Sequence, residues 1–340
     1  CWAAQRSGLY FTAISSRLTA PEVEYIVDDC EARVFSTSEA KADIAEGLAD
    51  RCPGLAARYM VGQPLQGYAS WEEATSAQPA EPLPEELEGA QMLYSSGTTG
   101  RPKGVKHPLT GSPAGTPPPL AAGLMALYQA DDRSIYLSPA PLYHAAPLAF
   151  TMAFLRIGAT IVVMEHFDAL ESLKLIERYR ATHSQWVPTM FVRMLKLAEE
   201  DRAQHDVSSM KVAIHAAAPC PIPVKEQMID WWGPVIYEYY AGTEVNGFVF
   251  CPPQAWLDHP GTVGQAILGT IHICDEEGNE LPNGESGAIY FEREEMPFEY
   301  HNAPEKTRDS QHPDHPNWSS LGLSLIHISE PTRRRLESRV

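Results

Sequence analysis

Apolar residues recur at helical spacing at Val23, Ile26 and Val27 of PEVEYIVDDCEA, and ARVFSTS then reads as a strand. Residues 20–52 therefore predict helix–strand–helix. A Pro- and Glu-rich connector follows at 77–87, and the short apolar run Ala90–Tyr94 breaks into a Ser/Thr/Gly loop. A steady rhythm runs from residue 150 to 250. Thr160–Met164 is a β-branched strand, and Asp168 is placed to cap a helix carrying Leu170, Leu173, Ile176 and Tyr179. Ser184–Val187 is a strand, Pro188 opens a helix with Phe191, Met194, Leu195 and Ala198 on one side, and Val212–His215, Pro223–Trp232 and Val235–Tyr240 continue the alternation. Strands alternating with helices predict a parallel sheet covered on both faces. After 251 the pattern becomes antiparallel, with Thr270–Cys274 and Ala288–Glu292 flanking an Asp/Gly/Asn turn.

Composition narrows this picture. The chain has 340 residues, 44% of them apolar and 21% charged, which excludes wholesale disorder. Its net charge of −18 argues against duplex nucleic acid as the main partner. The charge is uneven: the four Arg and two Glu of residues 323–340 give +2, leaving −20 on the rest. LSLIHISEPTRRRLESRV thus reverses the acidic bias, offers no clear partner element, and is expected to be a non-native tail, with a frayed basic helix as the alternative. The six Cys show no CxxC spacing, which favours reduced thiols and a cytoplasmic location over a disulfide or zinc scaffold. Ala145–Met164 is interrupted by Pro147, Arg156 and Gly158 and predicts a buried helix and strand, not a membrane span. CWAAQRSGLYF reads as the middle of a protein, without a signal pattern.

The densest chemistry lies in Tyr94-Ser-Ser-Gly-Thr-Thr-Gly-Arg-Pro-Lys-Gly-Val105. Glycines let a backbone approach polyphosphate, consecutive N–H groups form an anion nest, and Lys103 adds a mobile positive charge. The spacing is not that of a Walker A loop, since Pro102 stands where a Gly preceding Lys-Ser/Thr would be required, which counts against a P-loop kinase.

This string resembles the phosphate loop of the AMP-forming acyl-CoA synthetases of the adenylate-forming superfamily. Further matches follow in order: Tyr143-His144 after a Leu-Ser-Pro-Ala-Pro run, His215-Ala-Ala-Ala-Pro219 where the family usually has Gly-Gly-Ala-Pro, and Glu238-Tyr-Tyr-Ala-Gly-Thr-Glu244, with Ala241 replacing the usual Gly. The resemblance implies ATP or AMP contacts from Ser95, Ser96, Gly97, Thr98, Thr99, Gly100, Lys103, Ala216, Ala217, Ala218, Glu238, Tyr239, Tyr240, Ala241 and Thr243. It implies catalytic roles for Thr99, Lys103, His144 and Glu244, with Mg²⁺ at Thr99 and Glu244, and acyl contacts from His144, Met190 and His215. Met190, Phe191, Met194 and the Trp231–Trp232 pair are channel candidates, though such apolar stripes are core in most proteins. His301, His312, Asp314 and His315 match no standard metal spacing and read as a polar loop.

The implied fold is α/β, with mostly parallel sheets packed by helices and a small antiparallel β-barrel-like subdomain. The implied domains are an N-terminally truncated adenylation core at 1–250, the β subdomain at 251–322 and the tail at 323–340. Asn317-Trp-Ser-Ser-Leu-Gly322 resembles the start of an element whose next residue in the family is a ribose-binding Asp, where Leu323 stands here. The expected reaction joins a hydrophobic carboxylic acid, of the fatty or related lipid type, to coenzyme A through an acyl-AMP, with ATP and Mg²⁺. The polypeptide as written is expected to be impaired alone, and a non-catalytic nucleotide-binding remnant is the alternative. Oligomeric state is not readable.

Overall fold

The computed structural model describes residues 1–95, 101–117, 119–330 and 333–337. Contacts divide the chain into two compact units, Cys1–Thr116 with Glu299–Pro304, and Pro117–Phe298 with Glu305–Val340.

In the first unit the helix Ala20–Asp29 begins where a sequence reader would place it. Pro occupies its first turn, the Glu22 carboxylate accepts the Thr19 N–H at 2.8 Å, and Val23, Ile26 and Val27 are its buried face. The strand Val34–Ser38 pairs in parallel with Ala57–Val61. The second helix expected before residue 52 is instead three short turns, Glu39–Lys41, Ala42–Ala45 and Leu48–Arg51, because Gly47 at φ +72° breaks the run. A separate antiparallel sheet takes Leu93–Ser95, Lys103–Lys106 and Glu299–Tyr300.

The second unit is built on one eleven-stranded sheet. Five strands are parallel, in the spatial order Thr160–Val163, Ile135–Ser138, His183–Trp186, Val212–His215 and Ile236–Ala241. Alternation puts successive residues on opposite faces. Leu137, Ala213 and Ile236 pack with Leu173, Ile176, Phe191, Met194 and Trp232 on one face. Tyr136, Val212, Ile214 and Tyr239 pack with Phe150 and Phe154 on the other. Each such large side chain contributes roughly 1.5–3 kcal/mol on burial, so the two layers hold the central strands rigidly. The pattern change near 251 is the switch to antiparallel pairing at Phe248–Cys251, and hydrogen bonding continues across it into Thr262–Leu268.

Three expectations are corrected. Thr160–Val163 is the sheet's edge strand, with Val163 half exposed, so it is not buried on both sides. Tyr179 ends its helix outside the buried face, beneath the Arg178 guanidinium, while Asp168 caps that helix as expected, accepting the Glu171 N–H at 2.8 Å. Residues 323–330 and 333–337 do have partners. Trp318–Glu330 pairs with Ser286–Glu292, and Arg333–Glu337 returns between it and Thr262–Leu268. The alternating, β-branched LSLIHIS is strand-compatible, a pattern that the reversal of charge obscured.

Gly264 is required where Thr262–Leu268 passes close to the backbone of Phe250. Its φ is +100°, and a Cβ there would lie 2.0 Å from the Phe250 carbonyl oxygen. Gly264→Ala is expected to cost more than about 2 kcal/mol in chemical denaturation. Gly54→Ala, which meets nothing within 4 Å, should stay within about 0.5 kcal/mol.

Candidate functional site

In the first unit, Ser95 ends its strand and pairs in register with Lys103, while Tyr94 faces Gly104. A Cβ on Gly104 would sit 3.0 Å from the Tyr94 ring, so this glycine serves close approach. Ser96, Gly97, Thr98, Thr99 and Gly100 lie outside the described residues. Lys103 returns from the loop with its ammonium 4.7 Å from the Tyr300 ring centroid.

In the second unit, Val212–His215 and Ile236–Ala241 run in parallel with His215 opposite Glu238. This register delivers Ala216–Ala218 and the Gly242–Glu244 turn from the carboxyl ends of neighbouring strands, the usual ligand edge of an open α/β sheet. Backbone strain gathers at the same edge. Ala217 has φ +73° and Val245 has φ +51°; left-handed backbone costs a non-glycine residue roughly 1–2 kcal/mol. Ala216 is buried, whereas Ala217 and Ala218 are exposed. Tyr239 is buried, stacked on Phe248 at 4.8 Å, and its hydroxyl accepts from Gln185 Nε2 at 2.8 Å. Tyr240 lies on the opposite face of the strand, its ring 6.2 Å from Phe291. Burial, then the nearby Glu244 charge, pushes its hydroxyl well above the usual tyrosine range.

Glu238 does not point toward solvent. Its Oε2 accepts from Lys225 Nζ at 2.6 Å and lies 3.4 Å from His215 Nε2, and all three side chains are less than one-tenth exposed. Lys225 also lies 4.9 Å from the Trp256 ring centroid. Burial raises the Glu238 pKa, and the contacts with His215 and Lys225 outweigh it, so the carboxyl is held below its ordinary range. Burial lowers the His215 pKa against the pull of Glu238. Cys220, also in reach of these charges, is pushed up to about 12, chiefly by burial, and stays a thiol.

The three expected acyl contacts are not gathered in one place. Met190 and His215 belong to the packed face that includes Phe191, Met194 and Trp232, and the ring of His215 meets Phe191 at 5.7 Å. His144 is exposed and stands at the N-terminal boundary of the helix Ala145–Arg156, without a side-chain capping bond; that helix covers the other face. Met194, Phe191 and Trp232 are core, and Trp231 packs against them. His312 is buried, hydrogen-bonded to the Gly278 carbonyl at 2.7 Å and to the Asp314 N–H at 3.1 Å. Among the described residues, no group of three or more His, Cys, Asp or Glu side chains is arranged to hold a metal. Sequence reasoning missed Lys225, although a signal existed: it falls in phase with Met228, Ile229 and Trp232 on the buried face of Ile222–Trp232. It also missed Asn246, which is fully buried with Nδ2 donating to the Ser319 carbonyl at 3.1 Å, and Arg293, whose Nη1 donates to the Val245 carbonyl at 3.1 Å. Nothing local in the sequence announces either.

Breaking one side of the buried ion pair strands a charge, so Lys225→Met or Glu238→Gln should each lose about 3–5 kcal/mol. The Lys225→Met/Glu238→Met double variant should recover much of this; additive losses in urea denaturation would show that the pair is not coupled. His183 and His215 both have folded pKa values below the unfolded value of about 6.5. Above that pH both states are neutral. As pH falls below it, the unfolded chain takes up protons first and stability is lost. Melting temperature should therefore drop between pH 7 and 5.5, with a shallower slope in His215→Leu.

The pattern of the AMP-binding enzyme family matches residues 1–300. The chain is 31% identical over 274 residues to the 3-[(3aS,4S,7aS)-7a-methyl-1,5-dioxo-octahydro-1H-inden-4-yl]propanoyl:CoA ligase of Mycobacterium tuberculosis, covering 75% of this chain and 51% of that protein. It is 29% identical over 325 residues to 4-coumarate–CoA ligase 5 of Oryza sativa subsp. japonica, covering 90% and 57% respectively. The chain thus spans about half the length of the curated relatives it matches. The solved structure of the amide bond synthetase McbA from Marinactinospora thermotolerans superposes with a TM-score of 0.83 at 20% identity, over 99% of this chain and 66% of that one, which shows the shared α/β fold. With a family match over most of its length and that fold beneath it, the chain belongs to the AMP-binding enzyme family.

Proposed function

We propose that the protein carrying this chain is an AMP-forming acid–CoA ligase that activates a hydrophobic carboxylic acid with ATP and passes the acyl group to coenzyme A. The observation that carries this reading is the strand register that opposes His215 to Glu238 and sets Ala216–Ala218 beside the Gly242–Glu244 turn. In the reaction, a carboxylate oxygen of the acid attacks the α-phosphorus of ATP and pyrophosphate leaves with the electron pair of the broken P–O bond. The CoA thiol then displaces AMP from the acyl carbon. The small side chains of Ala216–Ala218 leave room for the purine against the backbone, and Tyr240 with Ala241 forms the neighbouring wall. Glu238 acts here from behind the strand, through Lys225, rather than on the adenine edge.

By the family resemblance, Lys103 and the Ser95–Gly100 loop bind phosphate and Thr243 bonds the α-phosphate. The Thr243 hydroxyl and Glu244 carboxylate are oxygen donors of the kind a hard cation prefers, and Glu244 with Thr99 would hold Mg²⁺. When bound, the ion offsets phosphate charge. His144, at the exposed start of its helix, is proposed to face the acid, with Met190 and His215 stiffening the packed wall behind. Both relatives described above are named for ring-bearing acids, while the AIHAAAPCP and YEYYAGTE strings favour a fatty or related lipid acid. A cytoplasmic setting fits six cysteines of which none forms a disulfide. Among the described residues, no helix is long and apolar enough to cross a membrane.

ATP–pyrophosphate exchange against a panel of fatty, alicyclic and aryl acids tests this reading, and exchange should depend on the acid. Glu244→Gln should lower kcat/KM for Mg-ATP by about 100-fold or more, the scale of removing one electrostatic group from a reacting centre, while the KM of the acid changes little. Acid-independent exchange, or equal loss toward both substrates, would contradict the assignment.

A further inference from the structure

Both ends of the phosphate loop are tied to a single helix. On the incoming side, the Tyr94 hydroxyl donates to Asp29 Oδ2 at 2.5 Å. On the outgoing side, the Tyr25 hydroxyl donates to the Pro102 carbonyl at 3.0 Å, and the Arg101 guanidinium lies over the Tyr25 ring at 5.0 Å. Asp29 and Tyr25 lie four residues apart near the end of Ala20–Asp29, on one side of the helix, and the Tyr25 and Tyr94 rings meet edge to face at 6.4 Å. The circuit closes through Glu299–Pro304. The His301 N–H donates to the Gly104 carbonyl at 2.8 Å, Asn302 Nδ2 donates to the Asp29 carbonyl at 3.1 Å, and the Tyr300 ring receives Lys103.

A carboxylate is a poor neighbour for a loop that binds anions, because it repels them. Asp29 keeps that charge engaged with Tyr94. Burial, followed by the hydrogen bond to Asp29, holds the Tyr94 hydroxyl protonated as a donor. Ordering a chain segment on a ligand costs conformational entropy, and fixing the strands on either side of it beforehand removes part of that cost.

We infer that Asp29 and Tyr25 are positioning residues for nucleotide binding, clamping the strands Leu93–Ser95 and Lys103–Lys106 that flank the phosphate-loop sequence so that Lys103 is pre-set for a triphosphate. The inference rests on the reading of residues 95–103 as the phosphate loop. Neither residue need touch the nucleotide.

Two readouts on the 340-residue chain test it. Hydrogen exchange without nucleotide should show faster exchange of the amides of residues 93–95 and 101–106 in Asp29→Ala and Tyr25→Phe, with the second unit unchanged. Calorimetry should show Mg-ATP affinity falling about 10-fold in Asp29→Ala, the factor for losing one charge-assisted hydrogen bond. Asp29→Asn, which keeps an acceptor, should restore affinity to within about 3-fold. Unchanged exchange in the stems overturns the clamp, and so does faster exchange with unchanged ATP affinity, which would leave the contacts merely structural. Lys103→Ala separates the underlying reading: if it leaves Mg-ATP affinity intact, the loop is not the phosphate site, whatever the exchange data say of its stems.

Discussion

A carboxylate cannot remain ionised in a protein interior unless an opposite charge is brought to it, and Glu238 depends on Lys225 for this. The pairing has consequences well beyond its two atoms. It fastens the helix Ile222–Trp232 to the strand Ile236–Ala241 and fixes the phase of that strand, so that Glu238 faces inward with Ile236 while Tyr239 turns to the opposite layer. A slip of one residue would exchange the faces and put Tyr239 against Lys225. The phase also decides which residues emerge at the strand's end. The Gly242–Glu244 turn therefore leaves the sheet from a fixed position, beside the Ala216–Ala218 loop of the neighbouring strand.

At that edge the fold departs from ease. Ala217 and Val245 occupy left-handed backbone without being glycine; the buried Asn246 amide bonds the Ser319 carbonyl and the half-buried Arg293 guanidinium bonds the Val245 carbonyl, holding the chain in place at Val245. Strain of this sort persists where surrounding packing over-determines a conformation. The rigid layers on either face supply that packing, and the strained turns carry the small and oxygen-bearing side chains. The proposed nucleotide edge and the strain coincide, because a ligand edge needs backbone geometry that regular strands do not offer.

Much of this was legible in the chain itself. The alternation from 150 to 250 yields the parallel sheet, Asp168 and Pro188 mark helix starts at the positions observed, and the HAAAP and YYAGTE strings lead out of the strand ends of Val212–His215 and Ile236–Ala241. What escaped depends on long-range contact. Asp29 and Tyr94 meet across 65 positions of sequence, and Asn246 and Ser319 across 73, so neither pairing has a local signature. Lys225 was readable only as a charge in phase with an apolar stripe, a pattern that usually means a side chain reaching out to water. The edge position of Thr160–Val163 follows from strand order, which periodicity does not encode. Glu238 shows the same limit from the other side: a motif names the residue, while only packing reveals that its carboxylate turns inward.

The account's central claim is that the two neighbouring strand ends form a nucleotide edge. A crystal structure of the chain grown with an acyl-adenylate tests this most directly. The account predicts the purine lying against the backbone of Ala216–Ala218 with Tyr240 beside it, and the Glu238–Lys225 pair intact beneath. A nucleotide bound away from those residues, or one whose binding pulls Glu238 out of its pair with Lys225, would contradict it.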